Sequence, residues 1–175
     1  MPQQMIWFFA SIGFSLIAWS LVTARYVWPE LQARTAVDAL RPVLMLHSFR
    51  FIGLSFLVAG VVSPDLPSAF AHEAAYGDII AAVLALAALL LLPGAAGLFA
   101  AWIFNIFGLV DLLNAFYQAN RGGLLAGQLG AAYFLPTVIV PLLLITHILV
   151  FKILVSHGRE LVAREQPTGV RSVPN

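Results

Sequence analysis

A line of polar residues lies within an apolar stretch long enough to cross a membrane, from Leu98 to Gln118. These residues recur every three or four positions, which places them on one face of a helix. The line consists of Asn105, Gly108, Asp111, Asn114 and Gln118. A carboxylate inside hydrocarbon costs several kcal/mol unless it finds a partner, so such residues face a bundle interior and often mark ion or ligand sites. Asp111 is therefore the first candidate functional residue.

The partner that the sequence offers for Asp111 is Arg50, which lies well inside another apolar stretch. At the helical rise, Arg50 is ~12 Å from one end of its helix, and ~6–10 Å of depth separates it from Asp111. Long side chains can bridge much of that depth, so we predict an Arg50–Asp111 ion pair. Two interpretations stay open. The pair, with Asn105 and Asn114, either holds the helices together or lines a cavity for a polar ligand, an ion or protons.

Asp78 follows Gly77 at the predicted outer start of a third apolar stretch. A carboxylate at that place is typical of an interfacial charge or of a partner for the positive end of the helix dipole. The alternative is that Asp78 and Arg121 form the external mouth of a polar pathway.

Two histidines, His47 and His147, fall at similar predicted depth on antiparallel helices. Two neutral imidazoles that face each other across a bundle can bind a haem iron axially, and Arg50 could then pair with a propionate. Ordinary hydrogen bonding between helices is the alternative. Haem binding is thus a second hypothesis, and the sequence indicates no other cofactor.

The sequence contains no motif for thiol, zinc, hydrolase or nucleotide-binding chemistry. The chain has no cysteine, and His72 and Glu73 are adjacent rather than spaced as in an HExxH zinc motif. It also lacks a GxSxG elbow, a P-loop and a dinucleotide-binding glycine motif. The formal net charge of +1 argues against nucleic-acid binding. A non-catalytic role is therefore favoured.

The composition indicates an integral membrane protein: 61% of the residues are hydrophobic, 10% are charged, and the mean hydropathy is +0.94. A span needs roughly 17 to 25 apolar residues. Five stretches qualify, at about 5–24, 43–62, 77–92, 98–118 and 130–155. We therefore predict one all-α domain over residues 1–155, a bundle of five transmembrane helices, followed by a polar, disordered tail over 156–175.

The distribution of basic residues predicts the orientation of the bundle. Most of them lie between the first and second spans or at and after the end of the fifth. The positive-inside rule then places the N-terminus outside and the C-terminus in the cytoplasm, as a five-span protein requires. No basic residue precedes the first apolar stretch, so we expect a retained helix rather than a cleaved signal peptide.

Three local signals refine this outline. Leu92-Pro93-Gly94 predicts a turn between the third and fourth helices. Ser68 is expected to cap a short interfacial helix before the third span. Pro136 and Pro141 predict a kink in the fifth helix.

Three short motifs carry a resemblance to a group of small uncharacterised bacterial inner-membrane proteins. They are FRFIG at 49–53, YGD at 76–78 and NIFGLVDL at 105–112. FRFIGLSFLVAG, followed by a Gly-Asp and an apolar run, also resembles DoxX-like proteins, some of which accompany membrane oxidoreductases. Asp78 would then stand for the acidic residue of that family.

Together these features predict a component of a bacterial-type inner membrane with a buried site made of Arg50, Asn105, Asp111 and Asn114. The site would bind a small polar ligand or pass protons or a solute. Gln118 and Asp78 would extend the pathway. Because 175 residues is small for a complete transporter, a homo-oligomer or a place in a larger complex is expected. The alternatives are a haem-binding electron-transfer subunit and a purely structural accessory subunit.

Overall fold

The computed structural model describes residues 3–165, with side chains described for residues 3–158. Within that range the chain forms five helices that are long and apolar enough to cross a membrane. They are α1 (Gln3–Gln32), α2 (Ala36–Leu57), α3 (Ser68–Leu91), α4 (Ala95–Arg121) and α5 (Leu135–Gly158). The predicted fold class, an all-α bundle of five transmembrane helices, is confirmed.

Helix α2 changes its winding halfway along. Thr35 caps its start by accepting a hydrogen bond from the Asp38 amide at 3.2 Å, so the helix begins seven residues before the predicted position 43. It is α-helical over Ala36–Ser48 and a 3₁₀ helix over Phe49–Leu57. With three residues per turn, a 3₁₀ helix aligns every third side chain. Arg50, Gly53 and Phe56 are accordingly buried in one line.

Helix α3 starts earlier than predicted. It runs without interruption from Ser68, whereas the sequence suggested a separate interfacial helix there and a span that began at Gly77. The exposed His72 and Glu73 lower the local hydropathy, but they lie on the outer face of a helix whose buried side already carries Ala71 and Ala74. Asp78 therefore lies in the eleventh position of the helix, in the membrane, rather than at its end.

Helices α3 and α4 are joined by the predicted turn at Leu92–Gly94 and pack against each other as an antiparallel hairpin. The face of α3 that carries Ala81, Ala85 and Ala88 is almost completely buried. Such small residues allow the backbones of two membrane helices to approach closely. This hairpin forms the centre of the bundle, whereas α1 lies at its edge and leaves most of its apolar side chains exposed.

Helix α5 begins five residues after the predicted position 130. A 3₁₀ segment, Ala126–Tyr133, precedes it and is broken at Gly130, whose φ of +53° is suited to glycine. Helix α5 then opens with a π-helical turn, Leu135–Ile139, and continues as an α-helix from Val140.

The same helix continues beyond the membrane span, as far as Glu165. Residues 156–165, which the sequence analysis placed in a disordered tail, are therefore helical. They include good helix formers, and no proline occurs between Pro141 and Pro167. The remainder of the predicted tail, residues 166–175, lies outside the described residues.

Two apolar cores occupy the two ends of the bundle. We call the first the packed half; it contains Leu31, Ala39, Leu40, Val43, Leu44, Ala85, Ala88, Leu92, Ala101, Phe104, Leu149, Val150, Ile153 and Leu154. We call the second the cavity half; it contains Phe8, Phe56, Leu66, Phe70, Ala71, Ala74, Leu124, Ala126, Leu129 and Ala132. The functional candidates lie between these two cores.

Candidate functional site

Arg50 is the centre of a charged cluster at the boundary between the two halves. Its buried guanidinium donates from Nε to Asp78 Oδ1 at 2.7 Å and from Nη2 to Asp111 Oδ2 at 2.6 Å. Its Nη1 donates to the Gly108 carbonyl oxygen at 3.1 Å. The cluster therefore joins α2, α3 and α4 through charge-assisted hydrogen bonds, which are the strong kind. The predicted Arg50–Asp111 pair is present, and Asp78 is a second partner.

Three glycines make room for this cluster. A Cβ atom at Gly53 would overlap the Asp78 carboxylate, and one at Gly77 would overlap the Asp111 carboxylate. A Cβ atom at Gly108 would lie 2.7 Å from the His147 ring and 2.8 Å from Arg50 Nη1. Contacts this close do not occur between ordinary side chains, so each glycine leaves the space into which a charged group fits.

His147 extends the cluster into α5. Its Nε2 lies 3.4 Å from Arg50 Nη1, and its Nδ1 lies 2.7 Å from Asn105 Oδ1. Because the arginine can only donate, Nε2 must be the acceptor and Nδ1 must carry the proton that is donated to Asn105. The contacts thus define a neutral imidazole with one tautomer. Asn105 acts here as a positioning residue for His147.

His47 lies on the side of His147 that faces the packed half. Its Nε2 is 2.9 Å from the Thr146 hydroxyl, and Thr146 also contacts the carbonyl oxygens of Leu142 and Leu143. The rings of His47 and His147 contact each other, with centroids 4.4 Å apart. Within residues 3–158, whose side chains the structure describes, the buried atoms His47 Nδ1 and Asn105 Nδ2 have no hydrogen-bond partner.

This arrangement of the histidines does not fit a haem. Two imidazoles that ligate one iron from opposite faces have the porphyrin plane between them, whereas these rings are in direct contact. Phe104 also packs against both rings, with centroids 4.9 Å from His47 and 5.3 Å from His147. The sequence analysis placed the two histidines at one depth correctly, but their side chains form hydrogen bonds and a ring contact instead of a haem pocket.

A cavity of about 470 Å³ extends from the charged cluster into the cavity half. Arg50, Asp78 and Asp111 line one end of it. Much of the remaining wall is apolar and includes five phenylalanines, namely Phe8, Phe9, Phe56, Phe70 and Phe116. A cavity with this volume, apolar walls and a few convergent polar groups is typical of a small-molecule site.

Two other predicted site residues lie apart from this cluster. Gln118 donates to Glu73 Oε2 at 2.7 Å, and Asn114 lies 3.4 Å from the same oxygen. This exposed contact joins α3 and α4 on the surface of the bundle.

Asp78 pairs with Arg50 and not with Arg121, which is exposed at the end of α4. Asp78 thus belongs to the charged cluster, and a mouth formed with Arg121 stays a prediction.

Sequence analysis missed the roles of Asp78 and of the glycines, although a signal for them was present. FRFIG contains Arg50 and Gly53, YGD contains Gly77 and Asp78, and NIFGLVDL contains Gly108 and Asp111. Each motif therefore combines a charge with a nearby glycine. In the structure the three motifs meet at one place, so this recurring combination could have identified the cluster.

The fold and the site together define a multi-pass membrane protein with a charged intramembrane cluster at the end of an apolar cavity. Residues 7–155 match a family described as a domain of unknown function, DUF8737, and the chain belongs to this family. The match agrees with the expected resemblance to an uncharacterised family, but it shows no DoxX-like resemblance. Searches of curated proteins and of solved structures gave no match.

Proposed function

We propose that this protein binds an amphipathic small molecule in its intramembrane cavity, with the polar group of the ligand at Arg50, Asp78 and Asp111. The observation that carries the proposal is the cavity of about 470 Å³ with these three side chains at one end. Burying three charged side chains costs free energy even when they are paired. Binding of a ligand's polar group by these side chains would explain why a costly charged cluster lies inside the membrane.

The walls of the cavity favour an amphipathic ligand over the small polar one expected from the sequence. Beyond the charged end, the lining comes largely from aromatic and aliphatic side chains of all five helices and the segment that precedes α5. A wholly polar ligand would lose hydration there without gaining hydrogen bonds. A ligand with an apolar body and a polar end matches both parts of the cavity.

Binding is also better supported than open conduction of protons or a solute. On the other side of the cluster, the chain of polar contacts runs through His147 and Asn105 and, beside them, His47 and Thr146. The packed half then follows, where Leu40, Leu44 and Val150 are buried almost completely. This dense apolar layer separates the cluster from the far end of the bundle.

The positive-inside rule predicts which side of the membrane the cavity faces. With the N-terminus outside a bacterial-type inner membrane, the cavity half lies on the outer side and the packed half on the cytoplasmic side. The ligand would then enter from the outer side or the outer leaflet. Assembly as a homo-oligomer or within a larger complex stays a prediction.

The proposal can be tested with tetraphenylphosphonium and tetraphenylborate, two rigid apolar probes of the same tetrahedral shape, and with neutral triphenylphosphine, which has one ring fewer. The protein is reconstituted in nanodiscs, and saturable binding is measured by equilibrium dialysis. Ala115 lines the cavity, whereas Leu113 on the same helix is 55% exposed. Ala115→Trp should obstruct the cavity and abolish saturable binding, and Leu113→Trp should leave it unchanged. If no probe binds wild-type protein saturably, or if both variants bind as wild type does, the proposal is wrong.

A further inference from the structure

We infer that the ligand of the cavity is an organic cation, an apolar molecule with a positively charged group that the carboxylates of Asp78 and Asp111 receive. The inference rests on the proposed function and specifies the chemistry of its ligand. Three observations carry it: the engagement of Arg50, the charge of the cluster, and the aromatic walls.

The first observation is that Arg50 is already occupied by the protein. All three of its nitrogens contact acceptors on α3, α4 or α5. Its side chain has no exposed surface, whereas those of Asp78 and Asp111 are 18% and 12% exposed. The carboxylates, rather than the guanidinium, therefore present accessible polar surface to the cavity. An anionic ligand would meet carboxylate oxygens before it met a free N–H group.

The second observation is the charge of the cluster. One guanidinium faces two carboxylates, so the formal charge of the cluster is −1. His147 is the titratable group from α5 that contacts it, and its two ring nitrogens are engaged by Arg50 and Asn105 as a neutral imidazole. The part of α1 that lines the cavity carries no charged residue. An uncompensated charge inside a membrane is costly, and a cationic ligand would balance it.

The third observation is the aromatic surface of the cavity whose one end the carboxylates line. The faces of aromatic rings attract cations, most strongly where water is excluded. Phenylalanine rings from α1, α2, α3 and α4 contribute to the cavity walls. They offer favourable contacts to the charged group and to the apolar body of an organic cation.

A bare inorganic ion fits these surroundings less well. Among the residues that the structure describes, no group of three or more His, Asp and Glu side chains is arranged to hold a metal ion. Oxygen-liganded cations of the hard type take six or more ligands. The cavity is also far larger than one ion. An organic cation uses both the carboxylates and the apolar walls.

The test uses tetraphenylphosphonium and tetraphenylborate, which match in shape and differ in the sign of their charge. The two ions partition differently into lipid because of the interfacial dipole potential. Specific binding is therefore defined as binding to wild type minus binding to Ala115→Trp. We expect the cation to bind wild-type protein at least tenfold more tightly than the anion. Equal affinity, or tighter binding of the anion, would overturn the inference but leave the proposed function in place. Failure of every probe would overturn both.

Charge variants locate the origin of the preference. Asp111→Asn and Asp78→Asn each remove one negative charge with little change in shape, and each should lower the preference for the cation to threefold or less. Glu73→Gln is the matched control, because Glu73 is an exposed acid on α3 that does not line the cavity. It should retain the wild-type preference. If Glu73→Gln lowered the preference for the cation as much, surface charge and not the cluster would determine which probe binds more tightly. If an aspartate variant does not fold, the comparison of the two probes on wild type still decides the inference.

Discussion

The packed half and the cavity half are built from the same helices, and the cavity of about 470 Å³ lies in the second of them. In the packed half, Ala85 and Ala101 have no exposed surface, and Leu40 and Leu44 fill the space beside them. In the cavity half α2 is wound as a 3₁₀ helix and α5 opens with a π-helical turn. Helix α1 also contains a π-helical turn, Thr23–Val27, beside the packed half. Irregular winding of this kind is often found at functional sites. Each core contains four alanines, whereas three phenylalanine rings lie in the core of the cavity half and one in that of the packed half. The large rings and the 3₁₀ winding of α2 therefore distinguish the half that contains the cavity.

The charged cluster lies where these two halves meet. Arg50 is the second residue of the 3₁₀ segment, so the change in winding of α2 and the cluster coincide. The guanidinium connects three helices. Its contacts therefore stabilise the bundle, and they also hold the two carboxylates at the end of the cavity. The substitutions below separate those two contributions.

The largest effect is expected from Arg50→Leu. Removal of the guanidinium leaves two carboxylates at the boundary without their cation, and breaking a buried pair in this way costs about 3–5 kcal/mol. Thermal unfolding in mild detergent, followed by circular dichroism, should show a large loss of stability. Arg25→Leu, at an exposed position of α1, is the control and should have little effect. Equal stability of the two variants would show that the cluster does not hold the halves together.

The same substitution made in each half compares their packing directly. Ala85→Leu adds a large side chain where α3 has no exposed surface, and overpacking of this kind costs about 3 kcal/mol. Ala115→Leu places the same side chain into the cavity and should change stability by no more than about 0.5 kcal/mol. The free energy of unfolding of each variant measures the difference. Similar losses in both variants would mean that the cavity half is as tightly packed as the other half.

A pair of glycine substitutions tests the fit of the cluster. Gly108→Ala would push a Cβ atom against Arg50 and His147, and we expect a loss of about 2 kcal/mol from the resulting displacement. Gly13→Ala on α1 has open space around it and should be neutral or stabilising by up to about 1 kcal/mol, because alanine is the better helix former. Denaturation curves of both variants check this. A neutral Gly108→Ala would show that the cluster tolerates looser packing than its contacts indicate.

Cysteine labelling should leave stability unchanged and reveal which side of the membrane each half faces. The chain has no native cysteine, and both Arg34 and Asp65 are exposed in connections at opposite ends of α2. We expect Asp65→Cys to react with an impermeant thiol reagent added outside intact cells. Arg34→Cys should react only after the membrane is permeabilised. Labelling of both from one side would contradict the five-span topology, and the reverse pattern would place the cavity half in the cytoplasm.

The sequence by itself determined the number and type of the helices, because the hydrocarbon thickness fixes the length of an apolar span. It also predicted the Arg50–Asp111 pair, since the depth of a residue follows from the helical rise. Asp78 was assigned to the interface because His72 and Glu73 lowered the local hydropathy and moved the predicted helix start to Gly77. Hydropathy averages over all sides of a helix, so it cannot show that two polar residues lie on its outer face.

Only the tertiary structure decided which groups meet at one depth and where space remains. The contact between the His47 and His147 rings, the places that Gly53, Gly77 and Gly108 leave open, and the cavity all depend on how far apart neighbouring helices lie. That separation is set by side chains on several helices at once and by the winding of α2 and α5. Helical periodicity orders residues along one axis, whereas a binding site is defined by lateral distances between axes.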